Sequence, residues 1–170
     1  PEDEMARALR AGTLQRNFMG YTTRRGDDLV ALGVSAIGDV AGCYVQNDPA
    51  EAEYLRAVAA RGHAVHRGHE LTPDDRLRRD VILGLMCNGR LDKRAVERDH
   101  EIDFDAVFAV ELAELAPMVA DGLVRLEPDA LAITELGQMF LRNVALPFDR
   151  YSRERRARGE GTERTFSRTL

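Results

Sequence analysis

Apolar and polar positions divide the chain into a strand-bearing first part and a longer helical remainder. Within residues 28–39 the run LVALGVSAIG is almost unbroken in apolar and small residues. Asp27 and Asp28 precede it and Asp39 closes it. Such a run predicts a strand buried on both faces, as in parallel sheets. Ligands bind at the carboxyl ends of such strands. Ser35, Ala36 and Ile37 are therefore candidate ligand-facing residues, and Gly38 leaves room for close backbone approach. An ordinary core strand closed by a glycine turn would show the same pattern. Just upstream, GTLQRNFMGYTT is dense in glycine, hydroxyls and aromatics. It predicts a surface loop of the kind that shapes a site.

Helical signals dominate elsewhere. Residues 2–9 predict the end of a helix stopped near Gly12. Asp48-Pro49 predicts a helix start, with Asp48 as cap, Leu55 and Val58 on its apolar side and Gly62 as its stop. Thr72-Pro-Asp-Asp predicts a stronger start: a hydroxyl cap, a proline in the first turn and two acids at the positive end of the dipole. Leu77, Val81, Ile82, Leu85 and Met86 would face inward, and Asn88-Gly89 would end that helix. Asp92 would cap a short helix, and Asp103 or Asp105 a longer one through Met118, kinked at Pro117. Leu123–Leu126 and Leu131–Thr134, flanking Glu-Pro-Asp, predict a β-hairpin. Thr134 would cap a last apolar helix through Val144. Three helices followed by a hairpin is the order of a winged-helix module.

Composition narrows the function. Among 170 residues, 24 Lys and Arg against 29 Asp and Glu give a net charge of −5. That balance argues against generic nucleic-acid binding, which needs a positive field. The candidate recognition helix carries Asp105, Glu111 and Glu114 without Lys or Arg, so it would repel phosphate, and the module reads as structural. No apolar run approaches the ~20 residues of a membrane span. No signal peptide is visible at the acidic start. Cys43 and Cys87 form no CxxC or CxxxCxxC motif, and reduced thiols are expected.

Three clusters invite functional readings that the pattern does not sustain. His63, His66 and His69 are spaced by three, but Gly62 and Gly68 argue against a helix, and in a strand the first two would face opposite ways. No metal site is assigned. Arg76, Arg78 and Arg79 predict a solvated basic face paired with Asp74, Asp75 and Asp80. The Arg-rich stretch after Asp149 (Arg150, Arg153, Arg155, Arg156, Arg158) predicts a solvated helix and tail.

The segments GTLQRNFMGYTT and LVALGVSAIGD resemble the oxygen-independent coproporphyrinogen III oxidases, radical S-adenosylmethionine enzymes of haem biosynthesis. The likeness continues through LTPDDRLRRDVILGLMCNGRLD, LAPMVADGLV, RNVALPFDRY and the final FSR. It covers nearly the whole chain but only the carboxy-terminal part of such an enzyme. A start at Pro1 also suggests a fragment. The resemblance implies an α/β plus α-rich fold: the last strand or strands of a partial TIM-like barrel (1–70), a winged-helix-like accessory domain (71–149) and an Arg-rich helix or tail (150–170).

The complete enzyme would convert two propionate side chains of coproporphyrinogen III to vinyl groups. A [4Fe–4S] cluster on three cysteines would reduce S-adenosylmethionine, giving the 5′-deoxyadenosyl radical that takes a hydrogen from the propionate. The cluster ligands are absent from this chain, so the fragment alone is expected to be inactive and offers no catalytic residue. Ile37 occupies the position whose family counterpart contacts S-adenosylmethionine, with Ser35 and Ala36 beside it. Met19 stands where the family pattern has Gln. Expected partners are coproporphyrinogen III and an electron donor to the cluster, with no nucleic acid and no membrane. The protein is expected to be a cytoplasmic monomer. Two other readings are a related haem chaperone of the same superfamily and a winged-helix binding module without catalysis.

Overall fold

The computed structural model describes residues 3–159. They fall into two compact units, one running to Leu77 and the other from Arg78.

The first unit opens with helix α1 (Glu4–Ala11), capped by the Asp3 carboxylate and ended by Gly12 in the left-handed region. A hairpin of β1 (Gln15–Asn17) and β2 (Gly20–Thr22) follows, then a three-stranded antiparallel sheet in the order β3-β4-β5. Its strands are β3 (Ile37–Val40), β4 (Cys43–Asn47) and β5 (Val65–Glu70), with helix α2 (Glu51–Arg61) between the last two.

The expected doubly buried parallel strand over 28–39 is not formed. Every strand pairing among the described residues is antiparallel. Only Ile37–Val40 joins the sheet, extended by a single bridge between Leu29 and Asp39. Between them Val30 and Leu32 are 70% and 85% exposed. β3 is the end strand of its sheet, and the chain just before it folds back so that Leu29 bonds the outer side of β3 at Asp39. The carbonyls of Ala31 and Gly33 instead accept from the Asn47 side-chain amide, at 3.1 and 3.0 Å. The Gly33 N–H donates to the Tyr54 hydroxyl.

Helix α2 also departs from expectation. It begins at Glu51 with Ala50 in the cap position, and it buries no residue. Asp48 turns the chain just before it, accepting from the Ala50 N–H at 2.9 Å. Leu55 and Val58 are exposed.

Helix α3 (Pro73–Asn88) starts as the sequence predicts. The Thr72 hydroxyl accepts from the Asp75 N–H, while the Asp75 carboxylate accepts from both the N–H and the hydroxyl of Thr72. This is a capping box with Asp in place of Glu. The second unit continues with β6 (Arg90–Asp92), α4 (Lys93–His100), α5 (Phe104–Val107), α6 (Ala109–Glu114), α7 (Ala116–Ala120), β7 (Val124–Leu126) and β8 (Ala130–Ile133). Asp92 and Asp103 cap α4 and α5, accepting from the N–H groups two residues into each helix.

The single helix expected through Met118 is broken into three short pieces, with turns at Phe108 and Leu115. Both hinge residues are fully buried, so packing sets the direction of each piece. The hairpin of β7 and β8 forms as predicted, and β6 adds to its other side in the order β6-β8-β7. A helix, a strand, four short helices and a two-stranded wing make a winged-helix-like order.

Beyond β8, Thr134 accepts from the Gly137 N–H. The expected apolar helix is instead a 3-10 turn (Leu136–Phe140) followed by the short α8 (Leu141–Ala145). A side chain at Gly137 would meet the Leu123 carbonyl oxygen at 2.0 Å, so this turn can press against the hairpin only through glycine. A second 3-10 turn (Leu146–Phe148) leads into α9 (Arg150–Ala157). The core of the unit is the aromatic trio Phe104, Phe108 and Phe148. All three are fully buried, with centroids 4.8 Å apart between the first two and 5.4 Å between the last two.

Candidate functional site

In the first unit the expected ligand-facing residues lie at the start of β3, not at the carboxyl end of a parallel strand. Ile37 is half-buried and pairs with Gln46. Ala36 accepts from the Asn47 N–H through its carbonyl at 3.0 Å. Ser35 is exposed and sits at φ 58°, the left-handed region that costs a non-glycine residue strain. Its N–H donates to the Asp48 carbonyl at 3.1 Å, and its own carbonyl accepts from the Gln46 amide at 3.1 Å. The three residues therefore form a backbone ledge pinned by β4 and by the turn before α2. The Ile37 side chain is left partly available as an apolar wall. Close approach at Gly38 is used internally: an added Cβ would meet the Leu29 carbonyl oxygen at 2.7 Å.

The GTLQRNFMGYTT loop is the β1–β2 hairpin. Its tip presents Met19, 83% exposed, and Phe18, which meets the Tyr44 ring edge-on at 5.1 Å. Arg16 lies over Tyr21 at 5.6 Å.

The histidines do not converge. His66 and His69 lie on β5 and approach different carboxylates, Asp48 at 3.6 Å and Asp75 at 3.5 Å. Among the described residues no three His, Cys, Asp or Glu side chains gather as a metal site. Two cysteines in the chain also cannot provide the three thiolates that a [4Fe–4S] cluster takes from closely spaced cysteines. The residues present do not fit that group. No helix of the described residues is long and apolar enough to cross a membrane.

In the second unit the charges are paired across the fold. The solvated basic face expected on α3 is met at Arg76, which is exposed, but not at Arg78. The Arg78 side chain is only 14% exposed. Its guanidinium donates to Glu111 at 2.9 Å and to the Phe148 carbonyl at 3.2 Å, and lies over the Phe108 ring at 5.4 Å. Arg76 donates to the Leu71 carbonyl at 3.3 Å. Glu111, 2% exposed, also accepts from Arg153 of α9. Asp105 accepts from Lys93 at 2.7 Å. The acids of the supposed recognition helix are therefore neutralised by partners, which repulsion alone did not anticipate.

The wing is occupied in the same way. Arg90 donates to Glu127 at 2.8 Å, and Arg94 to Asp129 at 2.8 Å and to Glu97 at 3.0 Å. The hydrogen bond and charge of Arg90 hold the Glu127 carboxyl below its ordinary value, and Glu127 raises Arg90 in return. A depressed carboxylate stabilises the fold above its unfolded pKa, and that contribution fades as pH falls through the folded value. On the wing itself Arg125 also lies beside Glu127, at 3.8 Å. Part of the Arg-rich end, residues 160–170, lies outside the described residues.

Sequence and structure comparisons place these observations among known proteins. Residues 71–140 match the family model described as the HemN C-terminal domain. The oxygen-independent coproporphyrinogen III oxidase of Escherichia coli (strain K12) is 43% identical over 155 residues, covering 91% of this chain and 34% of that protein. The enzyme of the same name from Thermostichus vulcanus is 42% identical over 171 residues, covering 100% of this chain and 51% of that protein. A solved structure described as "Coproporphyrinogen III oxidase (HemN) from Escherichia coli is a Radical SAM enzyme" superposes with a TM-score of 0.86 at 44% identity. The match covers 89% of this chain and 35% of that one. The chain thus spans a third to a half of the length of these relatives.

Proposed function

We propose, on the premise that this chain belongs with the oxygen-independent coproporphyrinogen III oxidases as their carboxy-terminal part, that it serves the oxidative decarboxylation of coproporphyrinogen III by walling one side of a cofactor site. The observation that carries this reading is the match itself, 43% identity over 91% of the chain to an oxidase of that name. S-adenosylmethionine and an iron–sulfur cluster would supply the hydrogen-abstracting chemistry, and the cluster's ligands would come from outside these 170 residues. The chain's own contribution is position. Ile37 offers an apolar face to the adenine ring, while the ledge through Ser35 and Ala36 fixes that face.

The exposed run at Val30 and Leu32 supports the same reading. Two large apolar side chains exposed on the segment that leads into the edge strand β3 suit cover by apolar residues from outside this chain. We assign residues 1–70 to the end of a catalytic barrel on that ground, 71–149 to an accessory domain, and 150–170 to a terminal helix and tail.

The test is Ile37→Ala in the full-length enzyme. A one-sided ligand contact is worth less than the about 1.5–3 kcal/mol of a fully buried side chain. Apparent affinity for S-adenosylmethionine should fall ~3- to 30-fold, read from 5′-deoxyadenosine formation, with iron content unchanged. Unchanged affinity in a folded, cluster-replete variant would return Ile37 to ordinary sheet packing.

A further inference from the structure

Helix α9 has eight residues and buries none of them. An isolated helix of that length is marginal in water, and apolar burial usually holds such an element in place. Its local support is the Asp149 carboxylate, which accepts from the N–H and the hydroxyl of Ser152, together with ion pairs of Arg150 and Arg158 to Glu154 along the helix. Between α9 and the rest of its unit lies a groove with Met118, Leu146 and Pro147 on its apolar side and Arg150, Arg153 and Arg156 on the helix side.

Among the described ties from α9 to the rest of its unit, that of Arg153 reaches a buried group. Arg153 donates to Glu111, and its Nε lies 3.3 Å from a Glu114 carboxylate oxygen. Glu111 is also bonded to Arg78, a partner outside α9. The anchor is thus part of the core, while the element it holds is polar throughout. A charged contact to a buried, already oriented carboxylate is stronger than an exposed pair and is less screened by salt.

We propose that α9 is a strap latched by Arg153: its guanidinium, held by Glu111 and Glu114, keeps the helix over the groove, and loss of that contact opens the groove with the rest of the unit intact. The device is conformational. It couples access to an apolar surface to one side chain.

Amide hydrogen exchange on the whole chain tests this, comparing Arg153→Ala with Arg155→Ala. Arg155 lies on the same helix and donates only to the Ser152 hydroxyl among the described residues, at 3.4 Å. Hydrogen bonds to charged groups contribute about 1.5–3 kcal/mol. Arg153→Ala should therefore speed exchange across α9 by ~10- to 100-fold, at ~1.4 kcal/mol per factor of ten. Exchange in α3 and α6 should stay within about twofold of wild type, and Arg155→Ala should leave α9 within about twofold. Two results would overturn the latch. If Arg153→Ala leaves α9 protection unchanged, contacts of Arg150 or Tyr151 hold the helix instead. If it speeds α3, α6 and α9 alike, Arg153 supports the whole unit and α9 is no separable strap.

Discussion

Phe108→Ala is expected to cost the second unit about 3–5 kcal/mol, the range for truncating a fully buried aromatic. Phe108 is fully buried and touches Phe104, Phe148 and the Arg78 guanidinium. It also sits at the hinge between α5 and α6. Its removal opens a cavity where three elements meet, and the short helices around it have little independent stability with which to collapse inward. Domains of this size are stable by only about 5–15 kcal/mol. The variant should therefore lose about a fifth or more of that margin, seen as a lowered urea midpoint for the helical signal with an unchanged slope. Val110→Ala is the control: it lies two residues away and is more than half exposed, and such surface changes stay within about ±0.5 kcal/mol. Equal midpoints for the two variants would mean that the aromatic trio is not the centre of this core.

The second large effect is expected at Glu111. Glu111→Ala leaves the Arg78 guanidinium, mostly buried, with the Phe148 carbonyl and no carboxylate from position 111. Breaking a buried ion pair from one side costs about 3–5 kcal/mol, because a desolvated charge remains. Replacing both partners with apolar residues of similar size is often neutral. The double variant Arg78→Met, Glu111→Leu should therefore be more stable than Glu111→Ala by at least ~2 kcal/mol. Urea titration of both variants decides it. If the double variant is the less stable, the pair contributes net stability beyond mutual compensation.

What the sequence revealed here was mostly local. Thr72, Asp92, Asp103 and Thr134 were legible because a capping side chain bonds an N–H a few residues away. The β7–β8 hairpin was legible because a Glu-Pro-Asp turn separates two apolar runs. Strand β6 was not: Arg90-Leu91-Asp92 has one apolar residue, and its partner β8 lies some forty positions on. Residues 30–36 misled because burial on two faces depends on neighbours that a local apolar run does not specify. In this unit β3 is an edge. Ser35, Ala36 and Ile37 were expected at the carboxyl end of a parallel strand, and they lie instead at the start of an antiparallel one.

Glu111 was missed for the opposite reason. One acid on an acidic helix carries no mark of burial, and its partners lie 33 and 42 residues away. An arginine on the Leu77–Val81 side of α3 was the one available signal, since its neighbours there face the core. The family likeness was legible throughout because it rests on long stretches, and it extends beyond the 71–140 domain in both directions.

The central proposal is that these residues serve as the carboxy-terminal part of a coproporphyrinogen III oxidase. The most direct measurement replaces the matching third of the Escherichia coli enzyme with this chain and follows anaerobic conversion of coproporphyrinogen III to protoporphyrinogen IX. The account predicts that the chimera turns over, and that the same enzyme lacking that third does not. A chimera that folds, carries its cluster and binds S-adenosylmethionine, yet forms no protoporphyrinogen IX, would contradict it.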